Sequence, residues 1–482
     1  MKNTVIIKPI RLGCAKCAVD LSDGSERGEY VNQDYILQAL GRPHRAVNLM
    51  YCYYPLDKGF PERASVAFAN EDIQFQWDYP YDDYFPYRGG LEGDQTGEPF
   101  TCMRDIRRHG QDVILTLTID PHVSDAQLIA IAKDLRTFGR MQFRINHEAT
   151  GDWFSFNKRC TYQEVADFYV RFHNIVKEYA PNVHTILCVD GIKDMESAQL
   201  HKEDEFTQAI RSTDIWSVDR YLALHWGWPY DVAERGGNTH RRYLVSDIYE
   251  LARRSYQRFC TLNDGVAKPM VMSELNADGD VTGAFDQAEM VKDFCMLVKN
   301  DPTPFLTAFT FYQFRDRGRL GLEIQDPNNK DVGIRQPVLE VYKEIIRDPF
   351  FSPTVTTETD SVQLPITLRW GGAEDATGIA LSLDFKTNPV FCEVTFDKPY
   401  NLIMEINGRW FYKSPNANTI DLMPAFYEKP LSEPAVLQLN IFAPPASGEN
   451  DSCQGEDWMY NYYTTITTLP SIRIRFEPIS IG

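Results

Sequence analysis

Two glutamates stand at the ends of short apolar runs, in settings that suit proton transfer and nucleophilic attack. Glu148 lies in Arg144-Ile145-Asn146-His147-Glu148-Ala149-Thr150-Gly151-Asp152-Trp153-Phe154, where a basic pair, a carboxyl group, a glycine turn and two aromatic rings follow one another. Glu274 lies in Lys268-Pro269-Met270-Val271-Met272-Ser273-Glu274-Leu275-Asn276-Ala277-Asp278-Gly279, an apolar run that ends in a carboxylate and a turn. A carboxyl group beside aromatic surface can protonate the oxygen of a bond held against that surface. A second carboxylate about 5 Å away can attack the adjoining carbon, which is the geometry of retaining glycosidic cleavage. The two groups need separated pKa values, one kept protonated by burial or by its neighbour's charge; Arg144 and His147 are placed to contribute. The competing structural readings are an ion pair of Glu148 with Arg144, core roles for Trp153 and Phe154, and a helix cap or barrel-floor salt bridge at Glu274.

Such groups need a scaffold that presents strand ends at one face. Between about residues 45 and 350, short β-branched or apolar runs alternate with longer amphipathic ones, the pattern of repeated βα units with parallel strands. Strands are expected at Val113–Ile119, Met141–Glu148, Val183–Asp190, Asp214–Tyr221, Pro269–Leu275 and Leu306–Phe314. Helices are expected at Ser124–Phe138, Tyr162–Tyr179, Val245–Phe259 and Asp286–Val298. Ser124 precedes an apolar stripe, and Thr161 with Glu164 has capping-box spacing. A further strand falls near Arg45–Tyr53, and an eighth is sought at Val5–Ile10 or near Ile73–Trp77. The expected architecture is an α/β fold, a (β/α)8 TIM barrel spanning 1–350, whose catalytic face is the C-terminal ends of its strands. An open doubly wound sheet is disfavoured by the lack of a Gly-rich phosphate loop. After Phe350-Phe351-Ser352-Pro353 the helical period gives way to alternating runs at Val362–Trp370, Ile379–Phe385, Phe391–Phe396, Leu402–Ile406, Ala435–Phe442 and Ile472–Phe476, read as a C-terminal all-β sandwich over 354–482.

The segment from Arg144 to Phe154 resembles the Arg-Pro-x-His-Glu-Met-Asn-Gly-x-Trp-Phe motif of glycoside hydrolase family 26. Ser273-Glu274-Leu275 is similar to that family's nucleophile strand, and the resemblance covers roughly residues 110–320. It implies a barrel with the acid/base after strand four (Glu148) and the nucleophile after strand seven (Glu274), and a β-mannan, xylan or β-glucan substrate. It also implies no metal or organic cofactor, and a phenol at Tyr221 bonded to the nucleophile. Departures fall at Ile145, at Ala149-Thr150 and at Thr118-Ile119-Asp120-Pro121, which stands where the family often has Ser-Trp-His-Pro; all shape the sugar pocket. Tyr312 stands after the last strand, where related enzymes often carry Trp. Trp226 and Trp228, on a loop after strand six, are read as sugar platforms beside Trp153. Arg315 is expected to pair with Asp316 or Asp278, and His122 and His225 are candidates for the pocket.

Composition fits this reading. A formal charge of −19 repels phosphate backbones and anionic lipid, which argues against nucleic acid as a partner. Aromatic residues at 13% supply flat faces for sugar rings. No run approaches a membrane span, and the opening residues lack a signal-peptide core. That points to a cytoplasmic protein, or to a secreted one whose leader has been removed. The ten cysteines are scattered, and the lone Cys14-Ala15-Lys16-Cys17 has no second pair or histidine cluster to complete a zinc site. A carbohydrate-binding barrel without catalysis would need the tryptophans but neither glutamate, and an exo-acting glycosidase of the same clan would share both glutamates.

Overall fold

The computed structural model describes residues 6–23, 30–61, 84–91, 93–223, 244–370, 376–444 and 462–476. The first strand, β1 (Ile7–Gly13), is followed by β2 (Ala18–Ser22), β3 (Ala46–Tyr53) and the two-residue β4 (Phe85–Pro86). Then come β5 (Asp112–Ile119), β6 (Met141–Ile145), β7 (Val183–Val189), β8 (Ile215–Val218), β9 (Met270–Leu275) and β10 (Leu306–Phe311). Strands β2, β3 and β5 to β10 form a parallel ring that closes where β2 pairs with both β10 and β3, with Ala18 opposite Ala308 and Leu21 opposite Val47. Every residue of β3, β5 and β9 is buried, as expected for strands covered on both faces. This is the (β/α)8 barrel, and separate antiparallel sheets form the C-terminal all-β domain.

The sequence explains the local elements. Thr161 Oγ1 accepts from the Glu164 amide at 3.3 Å while Glu164 Oε2 accepts from the Thr161 amide at 2.8 Å, closing the capping box of helix Tyr162–Tyr179. Ser124 and Gln127 do the same for helix Asp125–Arg136. Inside the ring, alternate residues form layers. Ala18, Ala46, Ile114, Ile186, Ile215, Val271 and Ala308 make an apolar floor. Above them the same alternation brings in Asn48, Thr116, Arg144, Cys188, Ser217 and Ser273, joined in part by hydrogen bonds such as Thr116 to Asn48 (2.8 Å) and Ser217 to Ser273 (2.6 Å). The upper barrel is therefore polar and the lower barrel apolar.

Two expectations are corrected. The Val5–Ile10 region does not supply the missing barrel strand: β1 runs antiparallel to Thr354–Thr357 and Ala376–Phe385 in a six-stranded sheet of the C-terminal domain. The missing strand is β2, disguised in the sequence because Asp20 and Ser22 point into the barrel; Asp20 is ion-paired with Arg45 there. The alternative at Ile73–Trp77 lies outside the described residues. The run expected to continue to Glu148 stops at Ile145, because Asn146 (φ 46°) and Glu148 (φ 49°) take left-handed backbone that no strand accommodates. Among the described residues no helix is long and apolar enough to cross a membrane.

The β domain docks against the barrel's first helices. Trp370, Trp410, Ile403 and Phe442 pack with Ile10 and Leu37 in one buried cluster, and the Trp410 amide donates to the Gly41 carbonyl at 2.8 Å. Gly110, at φ +74°, meets the Trp370 indole so closely that a Cβ would lie 2.7 Å from its Cζ2. Gly110→Ala is expected to cost about 1–3 kcal/mol through left-handed strain and overpacking. The urea midpoint should fall while the strand ends at the far face of the barrel keep their geometry; an unchanged midpoint would show that this contact yields freely.

Candidate active site

Arg144 is fully buried and reaches up from β6 through the polar layer of the barrel. Its Nε donates to Thr116 Oγ1 at 2.8 Å, its Nη1 to Asp219 Oδ2 at 3.0 Å, and its Nη2 to Glu274 Oε1 at 2.8 Å. Burial works against the cation, but the charges of Asp219 and then Glu274 more than offset it, and the guanidinium is held firmly protonated. One arginine thus serves two carboxyl groups from strands on the far side of the ring. The competing reading, an ion pair of Arg144 with Glu148, does not hold: the carboxylate partners of Arg144 are Asp219 and Glu274.

Glu274 owes its direction to an irregularity. Phe309 lies opposite Met272 and Phe311 opposite Leu275, so β9 has one more residue than β10 across this stretch. Strict alternation from Ser273, which faces the interior, would send Glu274 outward; the extra residue turns it to the mouth instead. There its other oxygen, Oε2, accepts the Tyr221 hydroxyl at 2.6 Å, as the motif resemblance implied. His147 Nε2 lies 3.9 Å from Oε1 and shares a 3.0 Å hydrogen bond with the Tyr84 hydroxyl. Burial, followed by the neighbouring Arg144 charge, pushes the His147 pKa well down, leaving a neutral ring packed on Phe154 at 4.5 Å.

Glu148 sits at the mouth on its left-handed turn, partly exposed, with Oε2 accepting the Trp153 indole N–H at 3.0 Å. Burial of the carboxyl raises its pKa well above the usual range, reinforced by the charges of Asp219, Glu274 and Asp190 and opposed by Arg144. Burial and this excess of negative charge both favour the protonated form. Asp219 is the carboxyl group that sequence reading passed over, quoting it only as a strand end. It is pushed up to about 7 by burial and by Glu274, against the guanidinium and the Cys188 thiol, which donates to Oδ2 at 3.1 Å. Its signal was its place two residues before Tyr221 at the exit of β8. Tyr84 and Cys188, the other two missed, carry no motif.

Around these groups Met50, Cys52, Tyr54, Tyr84 and Tyr312 form an aromatic and sulfur-rich wall, with Tyr221 and Phe154 packed against it. Tyr312 meets Tyr221 edge to face at 5.9 Å. Arg144, His147, Glu148, Trp153, Tyr221, Glu274 and Tyr312 are therefore brought to one end of the barrel. Trp226, Trp228 and His225 lie outside the described residues. On the rim, Arg159 binds both Asp57 (2.7 Å) and Asp120 (2.7 Å) and covers the Tyr54 ring at 4.6 Å, tying three loops together. His122 is an exposed partner of Asp120 at 2.9 Å. Arg315 pairs with neither Asp316 nor Asp278; its partner is Glu323 at 2.9 Å, because the hairpin Glu323–Arg335 folds back beside it. Among the described residues no cluster of His, Cys, Asp and Glu is arranged to hold a metal ion.

No family model and no curated protein matches the chain. Among solved structures it is similar to a family 51 arabinofuranosidase from Xanthomonas axonopodis pv. citri, with 12% identity over 91% of this chain and 100% of that one and a TM-score of 0.44. It is similar also to a family 26 endo-β-1,4-mannanase from Cellulomonas fimi (13% identity, 94% and 93% coverage, TM-score 0.42). A glucosidase from Croceicoccus marinus is a third (10% identity, 91% and 98% coverage, TM-score 0.45). These proteins are glycoside hydrolases of more than one family, so the likeness does not single out family 26. The functional reading is drawn from the site itself.

Removing the shared cation tests the electrostatic account. Arg144→Met leaves Asp219 and Glu274 buried against each other without compensation, at an expected cost of about 3–5 kcal/mol. Both proteins gain stability as pH is lowered, because Asp219 already sits at about 7 in the wild type, but the variant should recover more steeply, since loss of the guanidinium makes protonating one of the pair worth more. Equal pH dependence in the two proteins would mean that Arg144 does not carry this load.

Proposed function

We propose that the protein is a retaining glycoside hydrolase, endo-acting on a β-linked polysaccharide such as β-mannan, xylan or β-glucan. Glu148 serves as acid/base and Glu274 as nucleophile. The observation that carries this reading is the opposite setting of the two carboxyl groups: Glu148 is driven to hold a proton, while Glu274 is flanked by a guanidinium and a phenol that fix its orientation and supply counter-charge. That division is the one double displacement requires. The β-linkage and the polymer class rest on the motif around Glu148, and the endo mode on the same resemblance.

In the first step Glu148 gives its proton to the glycosidic oxygen as the C–O bond breaks, and a Glu274 oxygen bonds to the anomeric carbon. Negative charge is lost from Glu274 as the ester forms and appears on Glu148, which the Trp153 indole N–H is placed to receive. In the second step Glu148 takes a proton from water, the resulting hydroxide attacks the anomeric carbon, and Glu274 leaves as a carboxylate beside Arg144. Two inversions give net retention. Trp153 and Tyr312 provide aromatic surface next to the reacting groups, and Trp226 and Trp228 are assigned as further sugar platforms. Substrate is the only partner this chemistry needs; the double displacement calls for no cofactor.

Activated aryl glycosides separate the two roles. Glu274→Ala should lower turnover of every substrate by at least about 10⁴-fold. Glu148→Ala should lose about 10²–10⁴-fold on polysaccharide but much less on substrates whose leaving group needs no proton. Azide should rescue Glu148→Ala with a β-configured glycosyl azide and Glu274→Ala with the α anomer. The reverse configurations would exchange the roles, and full activity in either variant would remove that residue from the mechanism.

The acid/base assignment also sets a pH dependence. Activity needs Glu148 protonated before the first step, so the rate falls as pH rises through its raised pKa. The Trp153 indole favours the charged carboxylate and holds that pKa down. Trp153→Phe should therefore shift the alkaline limb of kcat/KM to higher pH while lowering the maximum. A limb that stays in place or moves down would show that the indole does not tune Glu148.

A further inference from the structure

At the opposite end of the barrel, Arg42 is a cation 9% exposed with no carboxylate in ion-pair reach among the described residues. Its Nη1 donates to the Ile346 carbonyl and to Ser352 Oγ, both at 2.6 Å. Among the described residues Nε and Nη2 have no protein acceptor. Burial, aided by the Arg347 charge, lowers the pKa only to about 10, so the group is charged at neutral pH. Nε–H and Nη2–H lie parallel on one edge of the guanidinium plane, the fork that matches the two oxygens of a carboxylate or phosphate.

Arg42 lines a cavity of about 230 Å³ between the barrel floor and the β domain. With Nη1 engaged by the linker, the Nε/Nη2 edge is the part left to face that space. Arg45 and Arg140 line it too, but each is spoken for by a carboxylate, Asp20 and Asp112 respectively. His44, also at the cavity, is kept neutral by burial and by the Arg42 charge, and its Nδ1 is buried without a hydrogen-bond partner. A surplus of positive charge in a chain of net charge −19 marks a place for an anion. Trp370 and Trp410 from the β domain and Phe351 from the linker supply an apolar wall, while Gln142, His184 and the arginine-paired Asp112 complete the polar lining. A bare phosphate needs donors on all sides, whereas a carboxylate attached to a carbon body suits one fork and an apolar wall.

We propose that this interdomain cavity binds a small organic carboxylate, gripped bidentately by Arg42 Nε and Nη2 with its carbon body against Trp370, Trp410 and Phe351. Such a ligand would touch barrel, linker and β domain at once. Binding to the native state alone would stabilise their association.

Thermal unfolding and titration calorimetry of the full chain with D-glucuronate, succinate, inorganic phosphate and neutral D-glucose test this directly. At least one of the two carboxylates should bind saturably and raise the midpoint by about 2 °C or more at saturation. The effect should persist in Glu274→Gln, which excludes the mouth of the barrel. Arg42→Lys keeps the charge that the fold needs but lacks the fork, and should weaken binding at least tenfold while leaving hydrolysis unchanged. No saturable binding of either carboxylate would overturn the proposal. So would undiminished binding in Arg42→Lys, loss of binding in Glu274→Gln, or an equal response to phosphate or glucose.

Discussion

Arg144 is the constraint around which the site is arranged. A fully buried guanidinium is tolerable only with its charge answered, and it is answered twice, by Asp219 from β8 and Glu274 from β9. That places three strands of the ring in one electrostatic unit. Because one cation faces two carboxyl groups, the next carboxyl to enter the neighbourhood meets a net negative field, and Glu148 is that group. Its raised pKa follows first from burial and then from the crowding of like charges, against the Trp153 indole N–H, which favours the anion. The polar layer in the upper barrel serves the same end, since Thr116 fills the remaining edge of the arginine.

Much of this was legible because barrel geometry converts sequence position into spatial position. A strand followed by a carboxyl group reads as a mouth residue whatever the intervening loops do, which is why Glu148 and Glu274 could be singled out 126 residues apart. Tyr221 followed from the motif resemblance, and the structure puts its hydroxyl on Glu274. Asp219 was less visible, since a buried carboxyl looks in sequence like any polar strand end; only the opposing Arg144 reveals what it does. Tyr84 reaches His147 from a long segment without periodicity, so nothing local marked it. The same limit applied to the fold. β2 was hidden because inward polar residues break an apolar run. The hairpin from Leu402–Ile406 to Arg409–Lys413 went unread even though Asn407-Gly408, both at positive φ, is a strong turn signal.

The two ends of the barrel are built on contrasting rules. At the mouth, carboxyl groups outnumber cations and the surplus is relieved by a proton. At the floor, small apolar side chains close the ring while arginines gather outside it against the β domain. Each end is thus polarised by the identity of its inward residues, and alternation along the strands keeps the two environments apart over a few ångströms.

The placement of β1 makes the order of residues along the chain differ from the order in which the β domain can be completed. β1 lies between Thr354–Thr357 and Ala376–Phe385, so its two hydrogen-bonding partners are separated from it by the whole barrel. On a ribosome adding about 5–20 residues per second, that strand waits on the order of tens of seconds for them. During the interval an amphipathic strand with two open edges is exposed while the barrel closes behind it. Lys8, Pro9 and Arg11, all within β1, are the kinds of residue that discourage pairing with a stranger, and the barrel can finish without it. Segments that lie beyond the whole barrel in sequence are then what secure this strand.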